Sequence, residues 1–191
     1  ELCVLNTCSV TAEAERKSRQ VANRLHRCNP LANVVVTGCY ATRSPEVLWR
    51  LPGVTRVVQN PDKAALLELI GMADGPAGAP QWVLPGGRTR AFVKIQDGCN
   101  YRCAYCVTSL LRGPVLSRPV QDVISEIQAL EAAGYQEVVL TGVSLGSYSA
   151  ERRSPVLLTP NQALRLPDLL RAILAETSIA RIRLSSVEPW D

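Results

Sequence analysis

The chain has 191 residues, 47% of them hydrophobic and 20% charged, with a net charge of +4. That composition is too apolar for intrinsic disorder, and the length allows one or two domains with a buried core. The longest runs without a charge, such as residues 138–150, fall short of the ~20 residues a membrane span needs, so a soluble chain is expected.

Residues 2–7 read as a short buried strand. Thr11 is a candidate N-cap, with Glu13 and Glu15 in the first turn, where the helix dipole favours acid. In the helix that follows, Ala14, Ser18, Val21, Leu25 and Cys28 recur at spacings of four and three as an inward face. Arg16, Lys17, Arg19, Arg24 and Arg27 decorate the rest. A second strand is expected at 34–37, a short helix at 45–51, a third strand at 54–58 and a helix from 61 to about 72.

Residues 73–89 hold three prolines and four glycines without helical or strand period, the composition of a linker. Beyond it come a strand at 91–96, a cysteine-bearing loop, and a helix entered at Pro119 with Val120, Val123, Ile124, Ile127 and Leu130 on one face and Gly134 at its end. A strand at 137–141 follows. A further helix carries Leu166, Leu169, Leu170, Ile173 and Leu174, and a strand at 181–187 has Ile182 and Leu184 facing one way. The pattern predicts an α/β fold: a small open parallel-sheet domain over 1–72, the linker 73–89, and part of a (βα) barrel over 90–191. The excess of basic residues is mild and sits mainly before the linker. Glu1 lacks the basic, apolar run of a secretory signal, and since the only methionine is Met72 it is not expected to be a natural start.

Seven cysteines and one histidine are the most informative counts. Seven is odd and nothing indicates export, so reduced thiols are expected, some of them metal ligands. A single histidine, His26, excludes a two-histidine zinc site within the chain. Cys99, Cys103 and Cys106 form a CxxxCxxC on a loop directly after a strand. Three thiolates at that spacing can cap three corners of a cubane iron–sulfur cluster, with Gly98 letting the backbone approach. The fourth iron is then open to substrate. Zinc or free thiols are the other reading of the spacing, but no second CxxC or nearby histidine supplies zinc's fourth ligand. Cys8 and Cys39 each follow the last residue of an expected strand, and so share the sheet edge where open α/β folds bind ligands. Two buried apolar cysteines would give the same pattern.

The CxxxCxxC loop, with Tyr105 before its last cysteine, resembles that of the radical S-adenosylmethionine enzymes. The resemblance implies that S-adenosylmethionine chelates the open iron through its amino and carboxylate groups. An electron from the reduced cluster then cleaves the sulfonium to methionine and a 5′-deoxyadenosyl radical. Asn6-Thr7-Cys8 and Thr37-Gly38-Cys39 are similar to two of the three auxiliary-ligand segments of the methylthiotransferases, whose first domain holds a second 4Fe–4S cluster. On that resemblance Cys8 and Cys39 hold the auxiliary cluster, the family's upstream Gly-Cys ligand has no match here, and Cys3 and Cys28 are core thiols.

Residues 11–20, 36–41, 140–148 and 181–189 bring the resemblance nearest to the branch that modifies N6-threonylcarbamoyladenosine beside the tRNA anticodon. It implies S-adenosylmethionine contacts from Tyr105, Gly142, Ser144, Ser185 and Glu188. The family commonly has a proline near Ser109 and an asparagine at Ser144. Also implied are hydrogen abstraction from C2 of the adenine, sulfur delivery from the auxiliary cluster, and a methyl group from a second S-adenosylmethionine. The partners would be tRNA, an electron donor such as flavodoxin or ferredoxin, and a sulfur source, in the cytoplasm and with no membrane. Sister enzymes act on isopentenyladenosine or on a ribosomal protein aspartate. An electron-transfer protein and a zinc nucleic-acid module are the rival classes, and both normally close their metal sites. Barrel strands beyond residue 191 and a carboxy-terminal RNA-binding domain are expected to be missing, leaving this stretch inactive alone. The basic face from Arg16 to Arg27, extended by Arg112, Arg118, Arg152 and Arg153, could meet RNA phosphates or simply be solvated. His26 is assigned no role.

Overall fold

The structure is a computed structural model that describes residues 1–72, 89–150 and 163–188. The expected linker lies, apart from Thr89, outside the described residues, as do Arg152 and Arg153.

From the start the chain forms β1 (Leu2–Thr7), α1 (Ala12–Cys28), β2 (Asn33–Gly38), α2 (Cys39–Arg43), α3 (Pro45–Trp49) and β3 (Val54–Val58). A 3₁₀ turn at Asn60–Ala65 and α4 (Leu66–Leu69) follow. The three strands pair in parallel in the order β1-β2-β3. β2, flanked on both sides, is buried from Val34 to Gly38, and Val34, Val36, Tyr40, Ala41 and Leu48 make the core. β1 has a neighbour on one side only, so Leu2 and Val4 are exposed and the strand alternates rather than being buried throughout.

Thr11 caps α1 as expected, its hydroxyl accepting from Ala14 N at 3.1 Å. The buried stripe differs from the expected one: Ser18 and Ala22 are buried and Leu25 is packed, whereas Val21 is 42% exposed and Cys28 lies in the open. Small side chains at 18 and 22 let the helix settle close to the sheet, which turns Val21 aside. Cys28 is therefore not a core thiol, while Cys3 does pack against the core. The expected helix over 61–72 is a 3₁₀ turn and one α-turn, because no residue of either is buried and no apolar face drives a longer helix.

The chain continues as β4 (Arg90–Lys94), β5 (Gln96–Asp97), α5 (Thr108–Arg112), β6 (Leu116–Ser117), α6 (Val120–Ala132) and β7 (Glu137–Thr141). β8 (Ser149–Ala150), β9 (Leu164–Arg165), α7 (Leu166–Glu176) and β10 (Arg181–Leu184) complete it. β4, β7 and β10 form a parallel sheet in the order β10-β7-β4, and β5–β6 and β8–β9 are short antiparallel pairs. Val93, Val138 and Leu140 of the sheet and Ile95 just past β4 pack with Ile124 and Ile127 of α6 and Leu169 and Ile173 of α7. Leu174, expected inward, is 70% exposed, and β10 ends at Leu184, itself exposed. Only Ile182 of that strand joins the core. At the amino ends of the strands the buried Glu137 is held by Arg90, Arg181 at 3.1 Å and Arg183 at 2.8 Å.

The described residues fall into two compact units, one within Glu1–Ala77 plus Arg102–Gly113, the other within Gly78–Tyr101 plus Pro114–Asp191. Each has a parallel sheet, in the mixed α/β arrangement the sequence pattern predicts.

Candidate metal centre

In the first unit, Thr7 and Gly38 are the last paired residues of β1 and β2, so Cys8 and Cys39 both stand one step past the carboxyl edge of the sheet. Cys39 opens α2 and is 5% exposed; Cys8 is exposed. The edge is tied by Thr7, whose hydroxyl donates to Thr37 O at 2.6 Å and accepts from Ala41 N at 3.3 Å. Gly38 has φ +101°, and a Cβ there would stand 2.3 Å from Thr7 O, so only glycine allows the strand to turn into α2. The Asn60 amide donates to Cys39 Sγ at 3.7 Å and to Leu111 O, on α5, at 2.8 Å.

The cysteine loop starts in the second unit. Gln96 is 1% exposed, and its side chain makes four bonds to main chain. Its amide donates to Asp97 O at 2.8 Å and Gly98 O at 2.7 Å, and its carbonyl accepts from Val143 N at 2.8 Å and Ser144 N at 2.9 Å. One buried side chain thus fixes the start of the loop to the turn after β7. A Cβ on Gly142 would stand 2.7 Å from Gln96 Oε1, so this brace already explains the glycine. Ser144 is buried and its hydroxyl bonds that of Ser147 at 2.9 Å. Ser185 donates its N–H to Leu140 O at 3.0 Å. The residues following β4, β7 and β10 thus meet the carboxyl edge of one sheet, where (βα) barrels place their sites. Glu188 is exposed beyond β10, and Cys99 is half-buried.

The rest of the loop belongs to the first unit. Cys106 N donates to Cys103 O at 3.0 Å, closing a turn that leaves Cys103 half-buried and Cys106 exposed. Hydrogen bonds from Thr108, first from its side chain and then from its backbone, hold the Cys106 thiol below its ordinary pKa. Tyr105 is 91% exposed.

Among the described residues no three His, Cys, Asp or Glu side chains gather closely enough to hold a metal ion. The donor chemistry of the loop fits an iron–sulfur cluster: three thiols within eight consecutive residues, with no imidazole or carboxylate among them. Gln96 and Asn60 escaped the sequence reading. A lone amide closing an apolar strand, and an Asn-Pro pair just after β3, were their only signals.

Residues 1–59 match the model of an uncharacterized protein family, UPF0004, and residues 93–189 that of the radical SAM superfamily. The chain is 37% identical over its whole length to the threonylcarbamoyladenosine tRNA methylthiotransferase MtaB of Chlamydia pneumoniae, and 36% identical over 98% of its length to that of Bacillus subtilis. It spans 43% of each of those relatives. It is also 32% identical over its whole length to the tRNA-2-methylthio-N(6)-dimethylallyladenosine synthase of Novosphingobium aromaticivorans, spanning 45% of it. With three cysteines spaced on the loop that follows the first strand of its second sheet, and a matching model over just more than half its residues, the chain belongs to the radical SAM superfamily.

Proposed function

We propose that the protein carrying this chain is a cytoplasmic tRNA methylthiotransferase that acts at C2 of N6-threonylcarbamoyladenosine beside the anticodon. The observation that carries this reading is the pairing of the CxxxCxxC loop with two further cysteines at the carboxyl edge of a separate parallel sheet, in a chain alike throughout to the MtaB relatives. The matches to dimethylallyladenosine synthases support a second substrate, isopentenyladenosine in tRNA.

Cys99, Cys103 and Cys106 would hold one 4Fe–4S cluster, and Cys8 and Cys39 two corners of another. Bound with S-adenosylmethionine, the first supplies reductive cleavage to a carbon radical able to take hydrogen from an unactivated ring carbon. Gln96 keeps the loop start and the 142–144 turn in one frame, and Gly142, Ser144 and Ser185 would stand along the edge where S-adenosylmethionine would lie. Tyr105 offers an exposed ring, and Glu188 a carboxylate, for the same molecule. Asn60 holds the Cys39 sulfur. Flavodoxin or ferredoxin would supply electrons and a separate donor the sulfur.

Anaerobic reconstitution of the full-length protein is expected to give 5′-deoxyadenosine from S-adenosylmethionine. Serine at 99, 103 and 106 together is expected to remove about four iron atoms per chain. Mass spectrometry of tRNA from a deletion strain separates the substrates. Loss of the 2-methylthio group from threonylcarbamoyladenosine supports the first, loss from isopentenyladenosine the second, and unchanged tRNA overturns both.

A further inference from the structure

The cations of α1 divide into two sets. Arg16 donates to Glu13 at 2.8 and 2.6 Å, and Arg19 donates to the Tyr40 hydroxyl at 2.6 Å with its guanidinium 5.7 Å from the centre of that ring. Both are committed within the first unit. Arg24 and Arg27, one turn apart, are exposed and have neither hydrogen bond nor ion pair among the described residues. With Lys17, whose one carboxylate neighbour stands at 3.8 Å, they line a cleft of about 760 Å³.

Among the described residues no acidic side chain lines that cleft. Its other walls are Gln20, Asn23, His26, Val21 and Pro52. The Pro52–Gly53 turn is pressed against His26: Gly53 has φ +78°, and a Cβ there would stand 2.7 Å from His26 Nδ1. The wall opposite the arginines is therefore fixed in place. The cleft sits at the amino edge of the sheet, where Val34 N donates to Gly53 O at 3.0 Å, opposite the edge that carries Cys8 and Cys39.

We infer that this cleft is a phosphate-binding surface that takes the backbone of an RNA, away from the cysteine edge of the same sheet. Unpaired guanidiniums present forks that match phosphate oxygens, and amides at 20 and 23 add donors and acceptors for sugar hydroxyls. An acidic protein fits less well, since protein interfaces centre on aromatic and apolar anchors and here only Val21 and Pro52 are apolar. The inference rests on the tRNA reading and gives it a second point of grip that positions rather than reacts.

Binding of the full-length protein to total tRNA, measured by anisotropy from about 50 to about 200 mM salt, tests it. The double variant Arg24→Gln with Arg27→Gln is expected to bind about tenfold more weakly and to lose about 1 to 2 from the log–log salt slope. Arg24→Lys with Arg27→Lys is expected to keep the slope, and Arg16→Gln to change neither. Circular dichroism melts of the parent and the double glutamine variant should coincide, because the Arg24 and Arg27 side chains make no hydrogen bond or ion pair among the described residues. A double glutamine variant that binds tRNA like the parent overturns the inference and spares the tRNA reading. A full-length parent protein that binds no tRNA overturns both. Binding of poly-L-glutamate that the double variant loses, with tRNA binding unchanged, assigns the cleft to an acidic protein and also overturns it.

Discussion

At the carboxyl edge of the first sheet the chain passes from β2 straight into α2, so Cys39 begins a helix with its thiol enclosed. At the same edge of the second sheet the chain leaves through β5 into a loop whose first thiol, Cys99, is only half-buried. A polar side chain organises each edge, but differently. Asn60 reaches the Cys39 sulfur itself, whereas Gln96 spends its whole hydrogen-bonding capacity on main chain and none on a thiol. The first arrangement fixes a prospective ligand. The second fixes the frame at the start of the loop and touches no thiol.

Removing the frame is the most costly way to break that contrast. Gln96→Leu keeps the volume but strands two N–H groups and two carbonyls, of which Ser144 N–H and Gly98 O are buried, and an unmet buried group costs roughly 1–3 kcal/mol. A loss of about 4 kcal/mol in urea unfolding is expected, and a loss below about 1 kcal/mol would show that water replaces the amide. At the first edge Gly38→Ala, at a positive φ, meets the main-chain carbonyl and N of Thr7, which cannot swing aside as the neighbouring Asn6 side chain can. About 3 kcal/mol is expected by the same measurement. The enclosed thiol gives a third contrast: in the folded chain Cys39 is expected to react with iodoacetamide at least about tenfold more slowly than Cys8, read by peptide mass spectrometry.

The amino edges differ as well. In the first unit Arg24 and Arg27 have no ion-pair partner among the described residues, while in the second Arg90, Arg181 and Arg183 converge on one carboxylate. Burial pushes the Glu137 carboxyl up, but hydrogen bonds from Arg181 and Arg90 and the charge of Arg183 together hold it below its ordinary 4.5. A carboxyl depressed by folding contributes stability that is complete above its unfolded pKa and is lost as pH falls through the folded value. Melting temperatures taken from pH 7 down to about 3 are therefore expected to fall more steeply for the parent than for Glu137→Gln. Parallel curves would mean that the three arginines do not act through that charge.

Much of this was legible in the sequence. β3 and β7 begin and end where alternation and turn residues place them, and Thr11 caps as its position predicts. The shared edge of Cys8 and Cys39 was legible too, since residues one step past adjacent parallel strands lie along one edge. What was not legible depended on partners distant in sequence. Gln96 meets Val143 and Ser144 47 and 48 residues on, and Asn60 meets Leu111 51 residues on, so no local pattern marks either. On α1 the pattern places Ser18 inside correctly, but hydrophobicity puts Val21 beside it, where the close fit of the helix to its sheet takes the small Ala22 instead.

The same error recurs on α7, and there it yields the smallest expected effect. Leu169, Leu170, Ile173 and Leu174 form two adjacent pairs at helical spacing, and sequence alone gives the two members of a pair equal claim to the core. The sheet is narrow, however, and meets the helix along one line: Leu169 and Ile173 are fully enclosed, Leu170 packs from the side, and Leu174 is turned out to solvent. Ile173→Ala is therefore expected to cost roughly 2–5 kcal/mol through the cavity it leaves. Leu174→Ala, with little surface to lose and alanine the better helix former, is expected to stay within about 0.5 kcal/mol of the parent. A large loss at Leu174 would mean that its side chain is covered in solution, and would move the boundary of the second core outward by one turn of the helix.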